Sequence, residues 1–413
     1  MKIIVAHPGR QHSFRLASAL KKSGNLAYYC TSVYDKDTSL LMRLTKRFLS
    51  EDNLKRANKR KNPDLADRDV VQICEIGGLL ETLLYRVDNS KVIYEKVRNI
   101  DADIFGVKVA KLAIKENADA VVMYDSNATK GFKYLKKNAP HIKRILDVSI
   151  GVRPYLKGLY QAEIDKTGYR DLYNANKPWW NDKMIRKLQA EIDDAQYFLA
   201  ASSFVEESLI ACGVKKEQIL RVPYGANVSS DTIHTADAEK PLNLLYVGQV
   251  TYRKGITHLL EAVSQMNPKD VRLTVVGAYN KEDWFVKKYE NSENVTFTGL
   301  VTPDKMADIY AQSEVFVIDS IAEGMAQVGI EAMACGLAVI CSHNSGIDDL
   351  VEEEKNGFVI PCCDVNALKE KIDFFVKSRE KAIEMGENGR EIAKEYTWEN
   401  YEKSVVSALL SIE

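Results

Sequence analysis

Short apolar runs and amphipathic stretches of helical period alternate along this chain in two successive series, with one polar break between them. Lys2–Ala6 reads as an apolar strand, Ser13–Lys22 as a helix with Ser13 placed as its cap, and Leu26–Cys30 as a second strand. Ala118–Met123, Arg144–Val148 and Gln196–Ala200 continue the strands, with helices at Lys108–Glu116 and Thr129–Lys137 between them. Val222–Pro241 is polar, turn-rich and almost free of large apolar side chains, as a linker would be. The alternation restarts at Leu242–Val247, Ile256–Gln265, Val271–Val276, Val295–Thr298, Met306–Ala311 and Val315–Ile318. It ends in amphipathic helices at Asn366–Lys377, Ala382–Lys394 and Trp398–Leu410. Apolar strands alternating with helices imply parallel sheets covered on both faces. The expectation is an α/β chain of two doubly wound domains, residues 1–235 and 236–395, with the closing helix at 396–413 packed back on the first. A chain of 413 residues suits two cores better than one.

The two series differ in charge. Residues 1–235 hold 39 Lys and Arg against 28 Asp and Glu, and residues 236–413 hold 18 against 30. A basic half beside an acidic half implies separate ligands, the basic surface facing phosphate, anionic lipid headgroups or an anionic polymer. Its densest part, Met42–Asp64, mixes eight Lys and Arg with Leu44, Phe48, Leu49 and Leu54, a pattern suited to a membrane surface or to a solvated helix pair. No apolar run approaches the roughly 18 residues of a membrane span. The first residues, MKIIVAHPGR, enter a strand and a turn without a signal peptide. A cytoplasmic protein, peripheral on the inner face of the membrane, is expected, with no nucleic acid partner. Seven cysteines are scattered, with no C-x-x-C pair and no metal-ligand spacing, and read as structural thiols.

Ligands of doubly wound domains bind at the carboxyl ends of the strands. In the second series the first such loop, Val247–Gly255, ends in Arg253, Lys254 and a glycine just before a helix, a pairing suited to a diphosphate. A later loop and helix, Glu323–Ile340, set Glu323 and Glu331 eight positions apart, roughly 12 Å if helical throughout. Two acids so spaced reach different parts of one extended ligand. Gly324, Met325 and Ala326 are small or flexible enough to bring backbone N–H groups to an anion, and Gly336 fits the C′ position of the helix. In the first series His12 stands beside Gly9 and Arg10 in the loop after the first strand, while His7, His141, His234, His258 and His343 show no partner pattern. Arg153–Trp180 gathers six tyrosines and tryptophans among charges, a platform for sugar rings or packing between helices.

These segments resemble the retaining glycosyltransferases of family four. The likeness lies in Gly248–Gly255, in Glu323 and Glu331 with AMACG after the second acid, in Asn344–Pro361, and in Ala200–Val214 with the VPYGAN that follows. It implies a GT-B fold, two Rossmann-like domains facing across a cleft. It also implies transfer of a hexosyl group, with retention, from a UDP- or GDP-sugar to a hydroxyl of a lipid-linked or cell-surface polysaccharide acceptor. By resemblance, Glu331 accepts hydrogen bonds from the ribose hydroxyls, Glu323 contacts the transferred sugar and Lys254 holds phosphate. Gln249 replaces the arginine usual after the strand's glycine, and Arg253 is the available substitute. Gly248, Gly9 and the backbone of Met325, Ala326 and Gln327 complete the donor cradle, with His12 beside it. Arg153 and Tyr155 are the acceptor candidates. No cofactor is expected, and no metal, since the cleft-facing loops hold no Asp-x-Asp pair. The family's histidine after a late strand of the first domain is missing from Arg144–Leu156. A sugar-nucleotide epimerase of the same architecture and a non-catalytic nucleotide-sugar-binding protein are the alternatives. A dinucleotide oxidoreductase has less support, because no G-x-G-x-x-G follows the first strand.

Overall fold

The computed structural model describes residues 1–36, 60–88, 91–228 and 240–412. Most of the basic stretch Met42–Asp64, and most of the polar break after Asn227, lie outside the described residues. The first sheet has seven strands, β1 (Ile3–Ala6), β2 (Leu26–Thr31), β3 (Val70–Gln72), β4 (Ala120–Tyr124), β5 (Lys143–Val148), β6 (Tyr197–Ala200) and β7 (Ile219–Arg221). The second has six, β8 (Leu242–Val247), β9 (Val271–Val276), β10 (Val295–Gly299), β11 (Val315–Ile318), β12 (Ala338–Ser342) and β13 (Gly357–Ile360). Their orders are β3-β2-β1-β4-β5-β6-β7 and β10-β9-β8-β11-β12-β13, with every pairing parallel. In each sheet the order reverses beside the first strand, between β1 and β4 and between β8 and β11. A crevice opens at such a switch point, so the loops after β1, β4, β8 and β11 are where ligands are positioned.

Central strands are buried along their whole length, as β4 and β11 show, which is why their apolar runs stand out in the sequence. The edge strands β3 and β7 span three residues each and carry no such run. Ser13 is a correction. It is the first residue of the helix rather than its cap, and its buried hydroxyl meets the Tyr29 hydroxyl at 3.0 Å. Lys108–Glu116 proves to be the end of a helix that begins at Val92, and Arg153–Thr167 is a helix opened by Pro154.

The Trp398–Leu410 helix leaves the second sheet and lies on the Ser13–Lys22 helix of the first. Tyr401, Val405 and Leu409 join the core that holds Leu16 and Leu20, Lys22 meets Glu402 at 2.7 Å, and the Arg15 guanidinium lies 4.9 Å from the Trp398 ring. A second apolar cluster joins the halves near the cleft, with Leu156, Tyr160 and Phe204 from the first packed on Tyr252, Ile321 and Ala322 of the second.

Candidate functional site

The loop after β8 tightens into a single 3-10 turn, Tyr252–Lys254, and Gly255 then turns left-handed, with φ of 70°, to start the Ile256–Ser264 helix. This turn aims two consecutive cations the same way. Arg253 Nη1 lies 3.2 Å from Glu323 Oε2, Lys254 Nζ bonds the same oxygen, and Arg253 also donates to the Ala322 carbonyl. Adjacent side chains diverge on an α-helix and on a 3-10 turn alike; these two long side chains nevertheless converge on one carboxylate. The Glu323 loop is braced in turn, since Glu323 N–H donates to Asn344 O at 3.0 Å and Asn344 Nδ2 to Ile321 O at 2.9 Å. Burial opposes ionisation of Glu323, but Lys254 and Arg253 outweigh it and hold its pKa below the usual value. Burial likewise lowers the pKa of Lys254, against the pull of Glu323. Two cations against one carboxylate leave one positive charge over, the balance an anionic ligand needs.

Glu331 lies elsewhere, on the Gln327–Ala334 helix, in the wall of a cavity of about 680 Å³ shared with Gly248, Gln249, Gly277, Ala278 and Tyr310. Burial raises its pKa, with only Tyr310 opposing, and among the described residues no Lys, Arg or His pairs with it. A carboxylate without a cation in a largely apolar slot is suited to neutral hydroxyl donors. Gln249 faces the same cavity, while its carbonyl accepts the Tyr246 hydroxyl at 2.8 Å. The two acids thus serve different places. Ala326 requires a correction, because its N–H donates to Ser345 O at 3.1 Å and is not available to a ligand. Met325 is buried, with its sulfur accepting from Tyr224 N–H at 3.2 Å, and Gln327 opens the helix.

Across the cleft, the loops after β1 and β4 line a second cavity of about 690 Å³. Gly9 and Arg153 belong to it, together with Arg60, Arg86 and Arg98. Arg98 and Arg153 lie over Trp179 at 4.7 and 5.2 Å, and Arg153 donates to Asn176 at 3.1 Å. Arg98 has Glu95 at 3.3 Å; no carboxylate of the described residues pairs with Arg60, Arg86 or Arg153. Burial pushes Glu81, in the same wall, up to about 7. Tyr155 is not in this wall, its ring resting instead on Phe204 at 6.1 Å. His12 is also turned inward. Its Nε2 is 3.0 Å from both Asp147 oxygens and 3.2 Å from the Tyr224 hydroxyl, so the ring is paired within the fold rather than offered to the cleft.

The histidine that does face the cavity is His7, which showed no pattern in the sequence. Its Nδ1 accepts the Gly9 N–H at 2.9 Å, which leaves the ring proton on Nε2. Burial first, then the neighbouring His12 and Arg98, bring its pKa to about 4, though the Gly9 bond and Asp147 oppose them. The unfolded chain has a histidine pKa of about 6.5. Above that value both states are neutral and the contribution is whole; as pH falls from 6.5 towards 4, only the unfolded state takes the proton and stability is lost. The shift corresponds to about 3 kcal/mol. Urea midpoints measured from pH 7 to pH 4 should fall less steeply in His7→Gln than in the parent; equal slopes would refute the assignment.

The cleft sides meet at Gly324. Ser149, from the wall of the second cavity, stands so close that a Cβ on Gly324 would lie 2.1 Å from its carbonyl oxygen, and Ser202 Oγ donates to Gly324 O at 2.5 Å.

Comparison with known proteins follows this division. Residues 231–392 match the family Glycosyl transferases group 1. An uncharacterized glycosyltransferase of Methanocaldococcus jannaschii is 30% identical over 158 residues, 38% of this chain and 44% of that one. The chain spans less than half the length of the first two curated relatives it matches. Solved structures are similar over its whole length: sucrose-phosphate synthase from Thermosynechococcus elongatus has a TM-score of 0.66 at 18% identity, covering 100% of this chain and 99% of that one. HepE of Anabaena, in complex with UDP, has 0.62 at 15%, covering 100% of both. The architecture of two parallel sheets is therefore the GT-B fold. Among the described residues no helix is long and apolar enough to cross a membrane.

Proposed function

We propose, from the match of residues 231–392 to the group 1 glycosyl transferases, that the chain moves a hexosyl group, with retention, from a nucleoside diphosphate sugar to a hydroxyl of an anionic, lipid-linked acceptor. The observation that carries the reading is the cluster of Arg253, Lys254 and Glu323 in the loops after β8 and β11, beside the cavity that holds Glu331. Glu331 receives the ribose hydroxyls and the slot at Gly277 and Ala278 receives the base. The excess positive charge of the Arg253 and Lys254 pair stabilises the diphosphate as it leaves, with no need of a metal at that point, and Glu323 is left to meet the sugar. A UDP-sugar is the first donor to test, in view of the UDP bound to HepE.

The first half takes the acceptor. Three arginines without carboxylate partners among the described residues in one cavity favour a phosphate or carboxylate next to the acceptor hydroxyl. The helices that carry Arg86 and Arg98, Glu75–Val87 and Val92–Lys115, expose Ile76, Leu83, Val87, Val92, Ile93 and Ile100, all more than half accessible. An apolar face beside a cationic cavity suits a protein resting on an anionic membrane from the cytoplasmic side.

The test is release of nucleoside diphosphate from a panel of nucleotide sugars, with and without membrane lipid extract fractionated by charge. Release should depend on the anionic fraction. Arg153→Ala should raise the acceptor KM roughly 10- to 100-fold while leaving the donor KM within about twofold, the loss of one charge-assisted hydrogen bond. Equal release with neutral acceptors would overturn the acceptor assignment, and a new nucleotide sugar without release would favour an epimerase.

A further inference from the structure

Beneath the donor loops lies a cluster for which the transfer reaction has no use. Glu163 of the Arg153–Thr167 helix, His258 of the Ile256–Ser264 helix and Cys363 after β13 are all buried, and their ligating atoms lie within 4.8 Å of one another. His258 Nε2 is 3.3 Å from Glu163 Oε1, close to the separation of two ligands on one tetrahedral zinc with bonds of about 2.0–2.2 Å.

Around these three stands a second layer that orients them. Asp319, at the end of β11, places Oδ2 3.5 Å from His258 Nδ1, a buried nitrogen with no hydrogen-bond partner of its own. Both Asp319 oxygens accept the Cys363 N–H, at 3.1 and 3.3 Å, and Tyr252 Oη donates to Glu163 Oε1 at 3.0 Å. A carboxylate behind one nitrogen of a histidine whose other nitrogen faces a thiol and an acid is the outer arrangement metal-binding histidines use. The neighbouring Cys362 Sγ lies 3.3 Å from Cys363 Sγ but is not among the three converging ligand atoms. The set of nitrogen, sulfur and oxygen selects zinc over magnesium or calcium.

We infer that Glu163, His258 and Cys363 bind one structural zinc ion. Glu163 comes from the first half and the other two from the second, so the ion ties the halves together beneath Lys254 and Glu323. It has no part in the chemistry of the donor, and the inference stands whether or not the protein transfers a sugar.

The test uses the full chain purified with a thiol reductant and no chelator. Metal analysis should find about one zinc per chain, retained through dialysis. Exchange with cobalt(II) should give a thiolate-to-metal charge-transfer band in the near ultraviolet and the visible bands of a tetrahedral ion. Cys363→Ser should lose the charge-transfer band and bind zinc at least tenfold more weakly, while Cys212→Ser, remote in the chain, keeps both. Chelation should lower the Tm of the parent and leave that of Cys363→Ser unchanged. Reduced parent protein that holds no zinc and gives no cobalt spectrum overturns the proposal, as does a spectrum that Cys363→Ser leaves intact. Because the parent is measured directly, misfolding of a variant does not remove the test.

Discussion

Lys254→Ala should lower turnover by about 100- to 1,000-fold, equivalent to about 3–4 kcal/mol of transition-state stabilisation. Lys254 and Arg253 converge on Glu323, and removing the lysine cancels the single positive charge that the cluster holds in excess. That charge matters most when the bond to the diphosphate breaks, so the loss should fall on kcat more than on the donor KM. The fold should lose less, about 1–3 kcal/mol, since Glu323 keeps Arg253 at 3.2 Å. Steady-state kinetics with urea unfolding on the same preparation separates the two effects. A turnover within tenfold of the parent would show that Arg253 alone serves the leaving group.

Gly255→Ala should be among the most destabilising single changes in the second half, at about 3–5 kcal/mol. Gly255 has φ of 70°, and a Cβ there would lie 1.6 Å from the Asp319 carbonyl oxygen. A left-handed alanine by itself costs about 1–2 kcal/mol. The rest is steric, because the obstacle is backbone at the end of β11 and the Asp319 carboxylate is itself bound to Cys363 N–H. Gly168→Ala supplies the comparison, since Gly168 has φ of 75° with nothing within 4 Å of an added Cβ. Urea unfolding of the two variants should differ by at least about 2 kcal/mol; equal losses would mean that the contact with Asp319 yields easily.

The loops after β8 and β11 were the most legible part of the chain, for a physical reason. Leu242–Val247, Val271–Val276 and Val315–Ile318 are strands with the bounds read from their apolar runs, since the run of buried apolar side chains in each leaves little else for it to be, even where Arg272 is exposed. The loops that follow inherit that certainty, so Arg253, Lys254 and Glu323 were found together. The first half was harder. Its edge strands are too short for a pattern, and the Val92–Lys115 helix exposes apolar side chains that blur its period. His7 and His258 gave no signal because their partners are not at fixed spacings. His7 depends on a turn to Gly9, and His258 meets Glu163, Asp319 and Cys363 only once both halves are folded. A reading that looks for ligands close in sequence passes over a cluster drawn from four separate elements.

The contact at Gly324 has a consequence for anyone recombining such proteins. The backbone of the Glu323 loop, part of the most readily recognised segment of the chain, is shaped by Ser149 and Ile150 of the other half, which leave no room for a side chain there. Second halves are therefore not interchangeable cassettes. A chimera that imports the second half of a relative must import the partner of residues 149–150 with it, and the pair of loops, rather than the linker, sets the boundary of what can be exchanged.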